Sequence, residues 1–194
     1  MRVIAIHGSP RPGGCSDLLL AEALRAAADG GHSVELLRPA AMSIHPCKSC
    51  GGCSRDGVCV IDDAMQGVFR LIRECDRIII ATPVFFSGVP AQLKALIDRG
   101  QALWSEKYLL KRPIPAGPFG RKGLLIVVGG QQIKEGFGCV DATARAFLRS
   151  ASVPGHETLT FGGMNEPRDL LSHPTALKDV YDAAARLFSA QTKF

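Results

Sequence analysis

The sequence lacks the features of a membrane protein or a nucleic-acid-binding protein. No apolar run reaches the roughly 18 residues that a membrane-spanning helix needs. The 23 Lys and Arg residues are dispersed, form no block interleaved with aromatic residues, and leave a net charge of +5. Residues 1–4 lead directly into an apolar strand and do not read as a signal peptide. We therefore expect a cytoplasmic protein without a membrane or nucleic-acid partner, whose mild positive charge suits anionic partners.

Two common nucleotide-binding motifs are also missing. The Gly-rich loop 8–14 is not G-x-G-x-x-G, because position 10 is Pro, and it lacks the Gly-Lys-Ser/Thr ending of a P-loop. The loop nevertheless joins an apolar strand to a helix start, where backbone N–H groups and the helix dipole favour a phosphate. A single phosphate, as in FMN, fits this loop. The alternative is an ordinary turn, with Ser16 capping the helix and Arg11 in solvent. The candidate phosphate-binding residues are Ser9, Arg11, Gly14, Cys15 and Ser16.

The hydrophobic pattern predicts an α/β fold, because five strand patterns alternate with five helical patterns. Strands are expected at residues 2–6, 33–38, 77–82, 123–128 and 156–161. Helices are expected at residues 16–29, from 62 or 63 onward, from 90 to about 103, and at 137–149 and 174–191, with a long connection at 104–122. The first, third and fourth strands are continuously apolar, as in a sheet covered on both faces. We therefore predict a three-layer, doubly wound parallel sheet of flavodoxin-like order 2-1-3-4-5. It would form one domain, residues 1–194, with a cysteine-rich insertion at 40–62.

Ligands of such a sheet bind beyond the carboxyl ends of the strands, near the point where the strand order reverses. Two further loops should meet the phosphate loop there, at residues 83–88 and 129–132. Phe85 and Phe86 could form an apolar wall for a flavin ring, although a Phe pair more often lies in the core. His7 is expected to be structural, and no catalytic acid or base is predicted. The candidate ring-binding residues are Pro83, Val84, Phe85, Phe86, Ser87, Gly88, Gly129 and Gly130.

Four of the seven cysteines follow the pattern Cys-x2-Cys-x2-Cys-x5-Cys within residues 47–59. Closely spaced thiolates on a Gly-containing loop can wrap a [4Fe–4S] cluster. Zinc is an alternative, although it usually takes two separated cysteine pairs. Redox-active or unliganded thiols are another, with Cys50 and Cys53 as the pair. The candidate metal ligands are Cys47, Cys50, Cys53 and Cys59.

These motifs together resemble a known family. The segment Gly8-Ser9-Pro10-Arg11 with Ser16, and the stretch from Thr82 to Arg99, are similar to the NADPH-dependent FMN reductase family, which has a flavodoxin-like fold. The cysteine spacing, followed by Val-Ile-Asp-Asp at 60–63, resembles the iron–sulfur flavoproteins within that family. The resemblance implies FMN at the three loops, with residues 83–88 against the isoalloxazine ring and Gly129-Gly130 closing its other edge. Many relatives carry Tyr or Trp at Phe85 or Phe86, so their polar contacts are not expected here.

The resemblance further implies a homodimer or homotetramer in which the cluster of one subunit lies near the flavin of another. The leading hypothesis is a flavin-dependent oxidoreductase that transfers electrons between FMN and a [4Fe–4S] cluster, with NAD(P)H or a ferredoxin-like carrier as redox partner. One alternative is an NAD(P)H-dependent FMN or quinone reductase without a cluster. Another is a non-catalytic binding module whose cysteines hold zinc.

Overall fold

A computed structural model describes residues 1–131 and 134–189 of the chain. The strands are β1 (Arg2–His7), β2 (Ser33–Leu37), β3 (Arg77–Pro83), β4 (Lys122–Gly129) and β5 (His156–Gly162). In the described residues they form one five-stranded sheet of order β2-β1-β3-β4-β5, and all four pairings are parallel. The predicted fold class and strand order are therefore confirmed.

Helices cover both faces of the sheet. They are α1 (Cys15–Asp29), α2 (Met65–Glu74), α3 (Ala91–Arg99), α4 (Gln101–Trp104), α5 (Lys134–Ser150), α6 (Pro167–Leu171) and α7 (Ala176–Phe188). A π-helical turn, Ser105–Leu109, continues α4, and a 3-10 turn, Gly52–Ser54, lies between β2 and α2. None of the helices within the described ranges combines the length and apolar character that crossing a membrane would require.

The alternation of side chains along β3 explains why the core has two halves. Ile78 and Ile80 face the layer that contains α2, α3, α4 and α5, whereas Ile79 and Ala81 face α1, α6 and α7. All four side chains are buried, as expected for a central parallel strand. The edge strands β2 and β5 are more exposed, which explains their mixed polarity.

Several predicted element boundaries are wrong. Ser16 does not cap α1: Gly14 is the N-cap residue, its carbonyl accepts hydrogen bonds from Asp17 and Leu18, and Ser16 is buried in the first turn. The connection predicted to start at residue 104 starts after Leu109, because no proline interrupts the helical segment before that point. The five-residue helix α6 was not predicted from the sequence. Gln191, the predicted end of the last helix, lies outside the described residues.

Candidate functional site

The loop between β1 and α1 lies at the carboxyl edge of the sheet, against β3. The N–H group of Gly8 donates to the carbonyl of Ala81 at 2.7 Å. A Cβ atom on Gly8 would lie 2.6 Å from a methyl group of Leu93 and 3.0 Å from the side chain of Thr82, so the backbone runs too close for a larger residue. The backbone N–H groups of Cys15 and Ser16 have no acceptor among the described residues, as is usual in the first turn of a helix. They are available to an anion.

The predicted polar residues of this loop are partly engaged with one another. Ser9 is buried, and its hydroxyl accepts a hydrogen bond from the backbone N–H of Arg11 at 3.0 Å. The guanidinium of Arg11 pairs with Glu166, which follows β5, at 2.8 Å, and both side chains are about half exposed. This hydrogen bond from Arg11 lowers the pKa of Glu166. An anion in the loop would therefore compete with Glu166 for Arg11.

A network that the sequence did not reveal supports the same loop. Arg38 donates to Nδ1 of His7 at 2.9 Å and to Asp17 at 3.0 Å. The other oxygen of Asp17 accepts from the backbone N–H of Gly13 at 2.9 Å. Gly13 has a φ of 70°, a left-handed conformation that favours glycine. Burial lowers the pKa of His7, and Asp17 only partly opposes this effect, so the environment favours the neutral imidazole. His7 thus belongs to the hydrogen-bond network that holds this loop in place.

The second loop is a tight turn that exposes two aromatic side chains. The backbones of Phe85 and Gly88 exchange two hydrogen bonds of 2.9 Å. Phe86 and Ser87 have φ angles of 47° and 58°, which is strained backbone for residues with side chains. Phe86 is fully exposed and Phe85 is 46% exposed. The alternative that places both rings in the core is therefore wrong, and the pair provides an accessible apolar surface.

The second and third loops share a cavity of about 340 Å³, a size suited to a small-molecule ligand. It is lined by Val84, Phe86, Ser87, Gly129, Gly130, Gln131, Gly136, Phe137 and Asn165. A Cβ atom on Gly130 would lie 2.1 Å from Oδ1 of Asn165, so this glycine lets the loop after β5 close over the cavity. Gln132, predicted for the same loop, lies outside the described residues. Pro83 precedes the cavity and completes β3.

A larger cavity, about 710 Å³, lies at the opposite edge of the sheet. It is bounded by the connection before β4, the start of β5 and α7. Since ligands of doubly wound sheets bind beyond the carboxyl ends of the strands, the smaller cavity is the better candidate for a cofactor.

The two ends of the cysteine-rich segment are held together by Arg99. The buried guanidinium of Arg99 donates to the carbonyls of His45 and Ile61 at 2.9 and 3.1 Å, and to the carboxylate of Asp63 at 2.7 Å. Burial alone would raise the pKa of Asp63, but hydrogen bonds from Arg99 and from the N–H groups of His45 and Met65 outweigh it and hold that pKa well below its usual range. Residues 45 and 61–63 are thereby joined, and residues 47–59 project as one loop.

Within this loop the four cysteines differ in environment. Cys53 and Cys59 pack against the core, Cys47 is half-buried, and Cys50 is exposed. Left-handed backbone at Ser49, Gly51 and Gly57 curls the loop. Within residues 1–131 and 134–189, no group of three or more His, Cys, Asp or Glu side chains converges in a metal-binding arrangement. The four predicted ligands therefore lie in one loop, but their sulfur atoms do not converge on a common metal position.

The chemistry of the loop nevertheless fits an iron–sulfur cluster. It offers four free thiols, the donors that such clusters take. The Nε atom of Arg99 is buried and has no hydrogen-bond partner among the described residues, and its guanidinium lies beside Cys59. A buried guanidinium N–H without an acceptor, next to a thiol, is suited to a ligated, negatively charged sulfur.

A sequence model of the NADPH-dependent FMN reductase family matches residues 1–161. The chain belongs to this family. The matched range contains the loop between β1 and α1, the turn at residues 85–88, the cysteine loop of residues 47–59 and all but the last residue of β5. Asn165 and Glu166 lie beyond it. Neither residue belongs to a recognisable motif, and only the return of the chain after β5 brings them to the site.

Similar proteins include iron-sulfur flavoproteins, matched by sequence, and a quinone oxidoreductase, matched by structure. An iron-sulfur flavoprotein of Methanocaldococcus jannaschii is 44% identical over 103 residues, 53% of this chain and 53% of that protein. One of Archaeoglobus fulgidus is 33% identical over 131 residues, 68% of this chain and 63% of that protein. The matches thus span between half and two thirds of these relatives. Among solved structures, an NAD(P)H:quinone oxidoreductase from Methanothermobacter marburgensis superposes with a TM-score of 0.71 at 18% identity, over 96% of this chain and 98% of that one. That likeness shows a shared fold.

Proposed function

We propose that this FMN reductase family member is an FMN-binding oxidoreductase that also carries a [4Fe–4S] cluster on Cys47, Cys50, Cys53 and Cys59. The observation that carries the proposal is a loop with four free thiols in a chain of this family. The two ends of this loop are held together by a buried ion pair. The names of the relatives in two archaea support the same combination. When bound, FMN exchanges electrons in pairs or singly, and a cluster carries them one at a time.

In this proposal two sets of residues bind FMN, one at the phosphate and one at the ring. The N–H groups of Cys15 and Ser16, the backbone of Gly14 and the side chains of Ser9 and Arg11 would hold the phosphate. The apolar ring would lie in the cavity beyond β3 and β4, against Val84 and Phe86. The backbone of the Pro83–Gly88 turn and the Gly129-Gly130 loop would face the polar edges of the ring. In this arrangement the chain binds and orients the cofactor and keeps water from one face of it.

The cluster hypothesis is tested by an absorption spectrum with iron and acid-labile sulfide assays on protein purified without oxygen. We expect flavin bands together with about four irons and four sulfides per chain. Cys50→Ser should remove iron and leave FMN bound. Cys139→Ser is the matched control, because Cys139 is an exposed cysteine on α5, outside the loop. Full iron and sulfide in Cys50→Ser would show that the ligand assignment is wrong.

One alternative function has an observation in its favour. The family model that matches residues 1–161 is that of NADPH-dependent FMN reductases, a description that requires no cluster. A protein without a cluster would be an NAD(P)H-dependent FMN or quinone reductase whose cysteines remain free. Flavin bands without iron or sulfide would establish this alternative. The family match gives no support to the non-catalytic zinc module.

We also propose that the protein is a homodimer or homotetramer and that NAD(P)H or a ferredoxin-like carrier is its redox partner. Exposed apolar side chains occur on the cysteine-rich segment 40–62, at Val58 and Val60, and on the π-helical turn, at Tyr108 and Leu109. The 3-10 turn Gly52–Ser54 packs against the π-helical turn, so both segments belong to one surface. Analytical ultracentrifugation of wild type and Leu109→Glu tests this contact: the variant should dissociate, and an unchanged sedimentation coefficient would contradict the proposal.

A further inference from the structure

Ser105 is a buried polar residue that the binding of FMN does not use. It begins the π-helical turn after α4, and its side chain is 0% exposed. Its Oγ atom lies 3.5 Å from the sulfur of Cys53, and in the described part of the chain this hydroxyl has no other hydrogen-bond partner. Buried hydroxyls are nearly always hydrogen-bonded, so the Cys53 sulfur is the group that accounts for the burial of Ser105.

The position of Ser105 relative to Cys53 is fixed by contacts on both sides of the pair. The turn Gly52–Ser54 packs on the π-helical turn. The next residue, Glu106, accepts a hydrogen bond from Arg73 at 2.8 Å and lies against Gly57 of the cysteine loop. Farther along, Arg112 donates to the carbonyl of Asp56 at 2.5 Å. The helical segment and the loop are therefore tied at several points, and the approach of the hydroxyl to the sulfur is not an isolated contact.

The chemistry fixes the direction of this hydrogen bond once Cys53 binds iron. A ligating cysteine is a thiolate, which can only accept, so the hydroxyl of Ser105 must donate. A hydrogen-bond donor to a ligand sulfur stabilises the reduced cluster more than the oxidised cluster, because the reduced cluster carries one more electron. Hydrogen bonds to the sulfur atoms are among the factors that set the reduction potential of such clusters.

We infer that Ser105 is a positioning residue that holds Cys53 toward the cluster and raises the reduction potential of the cluster. This inference rests on the proposed function, since it requires a cluster on the cysteine loop. Ser105 acts on electron transfer through Cys53, its hydrogen-bond partner in the described residues. It therefore affects the potential of the cluster and not the binding of FMN.

The test compares the holoprotein with three variants by redox titration followed by electron paramagnetic resonance. Ser105→Ala removes the donor, Ser105→Thr keeps a hydroxyl, and Ser54→Ala removes an exposed hydroxyl next to Cys53. In Ser105→Ala the ratio of reduced to oxidised cluster at a fixed potential should fall roughly tenfold, about 59 mV for a one-electron couple. Ser105→Thr and Ser54→Ala should titrate like wild type, and all variants should keep FMN.

Each outcome decides between this inference and the function on which it rests. An unchanged cluster potential in Ser105→Ala, with normal iron content, would overturn the role of Ser105 and leave the proposed function intact. Loss of iron from Ser105→Ala but not from Ser105→Thr supports the positioning role, because the variant that keeps the hydroxyl keeps the cluster. Loss from both variants means that Ser105 only fills space, which overturns the inference. Wild-type protein without iron or sulfide would remove the cluster and this inference together.

Discussion

Arg99 and Asp63 form a buried ion pair of 2.7 Å that joins helix α3 to the end of the cysteine-rich segment. Their side chains are 0% and 3% exposed. The same guanidinium binds the carbonyl of His45, and the same carboxylate accepts the N–H of His45 at 2.9 Å. The pair therefore determines where the cysteine loop leaves the fold and where it returns, independently of what the loop binds.

Asp63→Asn should destabilise the fold strongly. Removing one partner of a buried ion pair leaves the other charge buried and unpaired, which costs about 3–5 kcal/mol. The free energy of unfolding, measured by urea denaturation, should fall by about that amount. Asp62→Asn is the matched control, because Asp62 is exposed and makes no ion pair in the described residues. Equal stabilities of the two variants would contradict a structural role for the pair.

The sequence predicted the sheet but not this support. Continuous apolar runs such as Ile78–Ile80 predict central strands, because a strand buried on both faces must be apolar at every position. The Gly-rich and aromatic loops could then be placed at one edge from the strand order alone. The Arg99–Asp63 pair joins residues 36 positions apart, and the contact between Arg38 and His7 joins residues 31 positions apart. Polar contacts at such separations leave no periodic pattern in the sequence.

The start of helix α1 and the conformation of the Phe85–Gly88 turn could not be predicted from the local sequence either. The serine at position 16 has the residue type of an N-cap, but the extended backbone of Gly14 lets the helix begin earlier. Phe85 and Phe86 have the composition of core residues, yet the hydrogen bonds between Phe85 and Gly88 turn both side chains outward. Only the three-dimensional course of the backbone decides such cases.

The stability of the protein should fall as the pH decreases below about 6.5, and part of this loss should belong to His7. The native pKa of His7 lies below the ordinary value of 6.5. At pH values between the native and the unfolded pKa, the unfolded state therefore binds more protons at His7 than the native state does. Its contribution is therefore complete above the unfolded pKa and is lost as the pH falls toward the native pKa. Unfolding free energies of wild type and His7→Gln between about pH 7.5 and about pH 5.5 should diverge at high pH and approach each other at low pH. Parallel curves would exclude His7 as the source.

Gly130→Ala should weaken the binding of FMN. The new methyl group would lie 2.1 Å from Oδ1 of Asn165, so Asn165 must move, and the cavity wall moves with it. Gly138→Ala is the control, since a Cβ atom there meets nothing within 4 Å. Flavin fluorescence titration should show a raised dissociation constant for the first variant only. Gly130→Ala combined with Asn165→Ala should recover part of the affinity, and no recovery would mean that the two residues do not act on each other.

The last prediction separates phosphate binding from ring binding. If Arg11 contacts the phosphate, Arg11→Ala should weaken FMN binding roughly tenfold, as expected for the loss of a charge-assisted hydrogen bond, without changing the affinity for riboflavin. Glu166→Gln should have the opposite effect, because the carboxylate that pairs with Arg11 at 2.8 Å would no longer compete with the phosphate. Both effects should shrink at high ionic strength, since the two side chains are about half exposed. Isothermal titration calorimetry with FMN and riboflavin as paired ligands measures all of these differences. Equal losses of affinity for the two ligands in Arg11→Ala would place Arg11 at the ring or in the fold of the loop.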